Sequence, residues 1–211
     1  GAATGATADA RAFLLGDELC VVPVADPAAT TITARLPLGR WRRLRLCDPV
    51  GATRGAEELH DGGGDVQLDA PLGQPVILQR AGSVVVLDDG ARLGVLDTGH
   101  VAAAWSLHVV LDATGRASGR GYDDAGDGHG PSRLDSYEAT SDADAVRLQW
   151  SARGEYPREG PVEVRLKGLA AQAATCDGRA VEVRADRGGC VVTVDGGFEL
   201  VELRGLEAPP P

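Results

Sequence analysis

The chain has 211 residues, of which 43% are hydrophobic and 25% charged, a composition typical of globular proteins and compatible with one or two domains. Its formal net charge of −10 argues against nucleic acid as a partner, because an acidic surface repels the phosphate backbone. No apolar run approaches the ~18 residues that a membrane-spanning helix needs, so we expect a soluble protein without a membrane partner.

The start of the chain does not reveal its compartment. The sequence contains 0 methionines and begins at Gly1, which we interpret as a processed product or a piece of a longer protein. It lacks the basic start and the following apolar stretch that mark a secretory signal. Localisation therefore stays open between cytoplasmic and secreted.

Taken in chain order, the predicted elements are one short helix and then strand after strand. The stretch "TADARAFLLGDEL" predicts a helix that ends near Gly16, since glycine commonly stops a helix. Short β-branched runs bounded by Gly, Pro or Asp follow. The first series of predicted strands covers residues 19–24, 30–36, 41–47, 65–70, 75–80 and 83–88. The second series covers residues 104–112, 145–151, 162–168, 180–185, 190–195 and 198–203.

These two series predict an all-β chain made of two consecutive antiparallel β-sandwiches. Apolar and polar residues alternate in stretches such as "VEVRL", which is typical of antiparallel strands with one face in water. The stretch "CDGRAVEV" predicts a hairpin turn at Asp177 and Gly178. The weakly patterned residues 93–103 separate the two series, and we place the domain boundary within them, near residues 98–103.

The densest group of polar side chains is "GYDDAGDGHG". Its carboxylates, Asp123, Asp124 and Asp127, suit a hard cation and are weak calcium candidates. The spacing excludes an EF-hand, because Ala125 and Leu134 stand where two of its ligands are required. A turn in which aspartates bind nearby backbone amides explains the same residues. We therefore expect no cofactor, with calcium as the open alternative.

No recognisable set of catalytic residues is found in the sequence. Asp123 and Asp127 make a poor glycosidase pair, because carboxylates in one glycine-rich turn are exposed and little perturbed. The four histidines show no metal-ligand spacing; they are His60, His100, His108 and His129. We therefore assign no catalytic residue, and the ligand-binding residues stay unknown.

The sequence leaves two alternatives for the state of the cysteines and two for the role of the tryptophans. No cysteine forms a C-x-x-C pair, which argues against zinc; a disulfide between Cys176 and Cys190 is the alternative to buried free thiols. The cysteines are Cys20, Cys47, Cys176 and Cys190. Exposed tryptophans would stack on sugar rings, whereas buried ones belong to the core. The tryptophans are Trp41, Trp105 and Trp150.

Four stretches, in order, resemble segments of glycoside hydrolase family 31, the α-glucosidase and α-xylosidase family. "AFLLGDELCVVPV" (12–24) resembles the segment that leaves the catalytic barrel. "ITARLPLGRW" (32–41) resembles the next strand, with its Leu-Pro-x-Gly-x-Trp turn. "DAPLGQPVILQRAGSVVVL" (69–87) is similar to the strand pair that ends the proximal sandwich. "SLHVVLDATGRASGRGYDDAGDG" (106–128) is similar to the opening of the distal sandwich, with its Tyr-Glu-Asp-Asp-Gly turn.

The resemblance implies two β-sandwiches that follow a (β/α)8 barrel. Residues 1–18 would lead out of the barrel, residues 19–98 would form the proximal sandwich, and residues 104–211 the distal one. The family's barrel motifs, which supply both catalytic aspartates, do not occur in this chain. The implied function is that of a non-catalytic C-terminal portion of an α-glycosidase, which buttresses the barrel and shapes the edge of its cleft.

The catalytic barrel, covalently attached or separate, is accordingly the expected partner. Its contact surface is expected at the apolar residues near the start of the chain, namely Phe13, Leu14, Leu15 and Leu19. The sequence departs from the family pattern at Arg42 and Arg43, which follow Trp41, and at the extra Ala125.

Two other functions fit the sequence. A stand-alone carbohydrate-binding sandwich would expose one or two tryptophans on one face. A structural or interaction module without a small ligand would bury all three. Substrate, linkage and oligomeric state do not follow from the sequence.

Overall fold

The computed structural model describes residues 6–44, 59–70, 75–88, 105–124, 130–157 and 160–209. Every regular element within these ranges is a β-strand, so the all-β fold predicted from the sequence is confirmed. Within the same ranges, no helix has the length and apolar character needed to cross a membrane. The chain forms two compact units that divide between Ala81 and Gly82.

Eight strands of the first unit are described, in two sheets. They are β1 (Ala6–Ala10), β2 (Phe13–Leu15), β3 (Leu19–Val22), β4 (Ala29–Arg35), β5 (Arg40–Arg43), β6 (Leu59–Asp61), β7 (Asp65–Asp69) and β8 (Val76–Arg80). One sheet has the order β1-β4-β7 and the other the order β2-β3-β8-β5-β6. All pairs are antiparallel except β1 with β4.

Both sheets of the first unit contribute to one core, which makes this unit a sandwich. Ile32 and Leu68 come from the three-stranded sheet, whereas Cys20, Trp41 and Leu78 come from the five-stranded sheet, and all are at most 1% exposed. Alternating strand residues point to this core, as their period of two requires.

Eleven described strands of the second unit form one continuous sheet. They are β9 (Ser83–Asp88), β10 (Trp105–Val110), β11 (Arg116–Asp124), β12 (Ser132–Ser141), β13 (Ala145–Gly154), β14 (Pro161–Lys167), β15 (Ala173–Cys176), β16 (Arg179–Val181), β17 (Val183–Asp186), β18 (Gly189–Asp195) and β19 (Leu200–Arg204). Their order is β16-β15-β19-β13-β12-β11-β9-β10-β14-β18-β17. Most pairs are antiparallel, but β10 pairs with β14, and β11 with β9, in parallel.

This long sheet folds over on itself. Leu107 in β10 and Val201 in β19 are five places apart in the sheet, yet both are fully buried in the same core. Val162, Val164 and Leu166 alternate inward along β14, as the "VEVRL" pattern predicts. The unit is therefore a curled sheet around one core, between a sandwich and a barrel in form.

The predicted hairpin turn of the second unit is present. Asp177 and Gly178 join β15 to β16 with φ angles of 48° and 78°. Two successive positive φ angles are typical of the type I′ turn, which suits tight hairpins. The Asp177 carboxylate also accepts the backbone N–H groups of Glu199 and Leu200, at 3.0 and 2.8 Å, and so ties this turn to the start of β19.

The residues predicted as an N-terminal helix form strands instead. β1 adds to β4, and β2 pairs with β3 around a turn where Gly16 has a φ of 66°. A short isolated helix is marginal because its nucleation is costly. The ladder hydrogen bonds of two sheets therefore outweigh the local helical pattern, and the glycine marks a hairpin turn.

Strand β9 was assigned from the sequence to the proximal sandwich, but it lies in the second unit. It pairs with β10, and Val84 is buried in the second core. The boundary predicted near residues 98–103 lies outside the described residues. An apolar run such as "SVVVL" fits either domain, because the pattern records burial and not the partner strand.

Candidate interaction surface

Strand β2 presents three consecutive large apolar side chains to solvent. Phe13, Leu14 and Leu15 are 54%, 49% and 60% exposed. Neighbouring residues of a strand point to opposite faces, so both faces of β2 are apolar and exposed. The fourth residue expected at this surface, Leu19, is half-buried and lies opposite Leu15 in the hairpin.

The position of β2 adds to its exposure. It is the last strand of the five-stranded sheet and pairs with β3 alone among the described strands. An edge strand leaves one row of backbone N–H and C=O groups open to a partner. Exposed apolar side chains on an open edge are typical of a protein-binding surface.

The "LPLGRW" turn of the same unit is built on Trp41. This indole is 1% exposed, and its Nε1 donates to the carbonyl oxygen of Pro37 at 2.8 Å. Backbone hydrogen bonds join the turn to the glycines that follow β6. The N–H of Gly62 donates to the carbonyl oxygen of Gly39 at 2.7 Å, and the N–H of Gly63 donates to that of Leu36 at 2.9 Å. These bonds give the turn a rigid base.

Leu38 lies at the tip of this turn and is 78% exposed. Gly39, next to it, has a φ of 130°, which favours glycine. The Arg80 guanidinium, from the neighbouring strand β8, lies 6.0 Å from the centroid of the Trp41 ring. A leucine held outward on a rigid base is suited to contact a partner. Leu38 was not among the residues predicted from the sequence, although its place between Pro37 and Gly39 is a signal of an exposed apolar turn residue.

The Asp-rich segment is partly described. Tyr122, Asp123 and Asp124 end strand β11 and pair with β12, so these residues belong to a strand and not to the predicted turn. The Asp123 carboxylate accepts the N–H of Asp124 at 3.1 Å. Asp127, the third calcium candidate, lies outside the described residues. Within the described residues, no group of three or more His, Cys, Asp or Glu side chains is arranged to hold a metal ion.

The two described histidines belong to different units. His60 lies in β6 of the first unit, whereas His108 lies in β10 of the second. His100 and His129 lie outside the described residues. The sequence-based expectation of no histidine cluster therefore stays a prediction for the whole chain.

The described cysteines carry free thiols. Cys20 and Cys190 are buried, and Cys176 is half-buried. Burial raises the thiol pKa of all three, which keeps them protonated and unreactive. The alternative disulfide between Cys176 and Cys190 is not formed, and Cys47 lies outside the described residues.

Two of the three tryptophans belong to the cores. Trp41 is 1% exposed and Trp150 is 7% exposed, whereas Trp105 is half-buried and packs against the second core. The hypothesis of a carbohydrate-binding sandwich required exposed tryptophans on one face. Trp41 and Trp150 offer no exposed ring to a sugar, and the hypothesis stays a prediction for the half-buried Trp105.

Comparisons with known proteins place these surfaces in context. No family model matches the sequence. The chain is 35% identical over 118 residues to an α-glucosidase of Hordeum vulgare, a match that covers 56% of this chain and 12% of the relative. It is 27% identical over 177 residues to an α-glucosidase of Aspergillus niger, covering 80% of this chain and 16% of the relative. The chain thus spans less than a fifth of either α-glucosidase.

Solved structures share the fold. A GH31 dextranase of Flavobacterium johnsoniae superimposes with a TM-score of 0.72 at 14% identity, covering 92% of this chain and 26% of the dextranase. A cycloalternan-forming enzyme of Listeria monocytogenes gives a TM-score of 0.69 at 16% identity, covering 94% of this chain and 19% of the enzyme. In each of these proteins the matching region is a small part of a much longer chain.

Proposed function

We propose that this chain, which is related to the glycoside hydrolases of family 31, is a non-catalytic C-terminal portion of an α-glycosidase. In this role it packs against the catalytic (β/α)8 barrel and shapes the edge of the barrel's cleft. The barrel supplies the two carboxylates that hydrolyse the α-glycosidic bond. The observation that carries the proposal is the exposed apolar strand β2 (Phe13–Leu15).

Strand β2 would bury apolar area on binding the barrel. Its three side chains are each about half exposed, and complete burial of such a side chain stabilises by about 1.5–3 kcal/mol. Covering their exposed halves would therefore contribute roughly 2–4 kcal/mol to association. Leu38 adds a further apolar contact from the same unit. A free energy of this size strengthens association appreciably when the partner is held close to the chain.

The carboxylates of the described residues support a non-catalytic role. Asp112, Asp142, Asp186 and Glu202 all have a pKa below the usual carboxyl range, and each forms a hydrogen bond to a hydroxyl, arginine or lysine side chain. The general acid of a glycosidase needs the opposite shift, a raised pKa that keeps its proton near neutral pH. These groups are therefore suited to structural contacts.

The test uses the full chain and a separately produced catalytic barrel of the parent enzyme. We expect the chain alone to leave an aryl α-glucoside intact and to bind the barrel in a pull-down and by calorimetry. Leu15→Asp should abolish binding, because it places a charge on the apolar strand. Leu134→Asp is the matched control, since Leu134 is an exposed leucine (39%) of the second unit.

Each outcome bears on one half of the proposal. Hydrolysis by the purified chain would contradict the non-catalytic role. Unchanged barrel binding by Leu15→Asp would exclude β2 as the contact surface, and so would an equal loss in both variants. Circular dichroism of each variant establishes that the fold is retained.

A further inference from the structure

An exposed tyrosine ring in the second unit is held in place by its own hydroxyl group. Tyr122, in β11, is 65% exposed. Its hydroxyl forms hydrogen bonds with the Asp124 carboxylate, which raises the pKa of Tyr122, and with Ser132, which acts in the opposite direction. Asp124 and Ser132 are themselves partners in the β11–β12 register. Exposed tyrosines usually turn freely, so this tether distinguishes Tyr122.

The tether also determines how the ring lies. Residues two apart in a strand point to the same face and are separated by roughly 7 Å, which is about the reach of a tyrosine side chain. A hydroxyl bound to Asp124 therefore places the Tyr122 ring along β11 and not upright from it. With 65% of its surface exposed, the ring held along the strand keeps apolar surface available to a ligand.

Apolar and polar groups surround this ring. Leu134 lies directly opposite Tyr122 on β12 and is 39% exposed. Arg153 on β13 lies opposite Leu134 and is exposed. Arg120 precedes Tyr122 on the same face of β11 and is also exposed. Three adjacent strands thus form one surface, the Tyr122 face, which consists of Arg120, Tyr122, Asp124, Ser132, Leu134 and Arg153.

We propose that the Tyr122 face binds a neutral oligosaccharide, with one pyranose ring stacked on Tyr122. A pyranose has an apolar C–H face and a rim of hydroxyl groups, and an aromatic surface flanked by hydrogen-bonding groups complements both. Asp124 accepts hydroxyl hydrogens, and the guanidinium groups of Arg120 and Arg153 donate to hydroxyl oxygens. The net charge of −10 disfavours an acidic glycan.

This site lies in the second unit and uses none of the residues of β2. The fixed ring is already in its binding orientation, so little side-chain freedom is lost when a sugar binds. Tyr122 is thus a binding residue, whereas the buried tryptophans belong to the cores. The two proposals are therefore tested by different variants.

The experiment titrates the full 211-residue chain with maltohexaose and with isomaltohexaose, followed by two-dimensional NMR and calorimetry. We expect millimolar or tighter binding to at least one probe, with shifts centred on Tyr122, Leu134 and Arg153. Tyr122→Ala should weaken binding by about tenfold or more, as loss of a stacked ring does. Hexagalacturonate, an acidic oligosaccharide, should bind neither the unaltered chain nor Tyr122→Ala.

Two further variants separate stacking from other effects. Tyr122→Phe keeps the ring and loses the tether, so its affinity should fall by no more than about threefold. Leu59→Ala removes an exposed apolar side chain (43%) that belongs to neither proposed surface and should bind like the unaltered chain. The proposal is overturned if neither oligosaccharide binds at millimolar concentration, if Tyr122→Ala binds normally, or if Tyr122→Phe loses as much as Tyr122→Ala.

Discussion

Trp150 in β13 donates its indole N–H to Asp135 in β12, with Nε1 and Oδ1 2.8 Å apart, and the carboxylate is completely buried. Arg133 donates to the same oxygen at 2.8 Å, and its guanidinium lies 5.0 Å from the Trp150 ring centroid. Tyr137 stacks on this indole at 5.8 Å, and Phe198 packs at 5.1 Å. A buried charge thus orients the largest side chain of the second core.

Removing this carboxylate should destabilise the second unit strongly. Asp135→Ala leaves the Trp150 N–H without its acceptor and the Arg133 charge without its counter-ion, so we expect a loss of about 3–5 kcal/mol in the free energy of unfolding. Urea unfolding followed by circular dichroism measures it. Glu138→Ala, at an exposed position of the same strand, is the control and should change stability by at most about 0.5 kcal/mol. Equal losses of unfolding free energy in the two variants would mean that the buried contacts of Asp135 contribute nothing to stability.

The glycines after β6 provide a matched pair of variants in the first unit. A Cβ added at Gly62 would lie 1.8 Å from the Pro37 carbonyl oxygen and 2.9 Å from Trp41 Nε1. We expect Gly62→Ala to cost at least about 1–3 kcal/mol, because the backbone of the turn must move. Gly64→Ala meets nothing within 4 Å and should be neutral. Thermal unfolding of both variants measures the difference, and equal melting temperatures would show that the turn yields readily.

The sequence predicts burial along a strand better than it predicts which strands pair. Alternation identifies the inward residues of β14, because that pattern is local. It gives no partner for β9, and it misses β11, whose glycines and polar residues are typical of loops. Gly119 shows why β11 contains glycine: a Cβ at this position would lie 1.9 Å from the Val84 carbonyl oxygen. The glycine permits the close approach of β9, which is visible only once the strands are paired.

The candidate surfaces show the same difference between what a local pattern predicts and what strand pairing determines. The apolar residues of β2 could be singled out from the sequence, and their exposure is found, while their contact with a barrel stays a proposal. The tether between Tyr122 and Asp124 requires a strand, whereas the sequence suggested a turn. The Asp135–Trp150 contact depends on the β12–β13 register, which no local pattern specifies.

Calcium should leave the stability of the chain unchanged. Asp123 already accepts the N–H of Asp124, and Asp124 binds the Tyr122 hydroxyl, so both carboxylates have protein partners. We expect the same melting temperature with millimolar calcium and with chelator. A calcium-dependent rise that Asp123→Asn removes would instead establish a metal site at this segment.

His108 should make the second unit sensitive to mild acid. This histidine lies in β10 with 8% exposure, and its Nε2 is 3.3 Å from the Ser106 hydroxyl. Its pKa is lowered to about 4, mainly by burial and also by the charges of Lys167 and Arg165, while Asp186 acts in the opposite direction. The folded state therefore holds His108 neutral, whereas an unfolded histidine gains its proton near pH 6.5.

Between about pH 6.5 and pH 4 the unfolded state thus binds more protons at this residue, so the folded state loses stability as the pH falls. Full protonation of the unfolded histidine corresponds to a loss of roughly 3 kcal/mol across that window. Asp186 does not obscure this effect. Burial raises its pKa, but the hydrogen bond and charge of Lys167 lower it more, so its contribution is lost only at lower pH.

Urea unfolding measured at several pH values tests this account. The free energy of unfolding should fall from pH 7 to pH 4, and His108→Gln should remove most of that slope, because glutamine does not titrate. His60→Gln, which removes a histidine of the first unit, is the matched control. An undiminished slope in His108→Gln would mean that groups other than this imidazole cause the acid sensitivity.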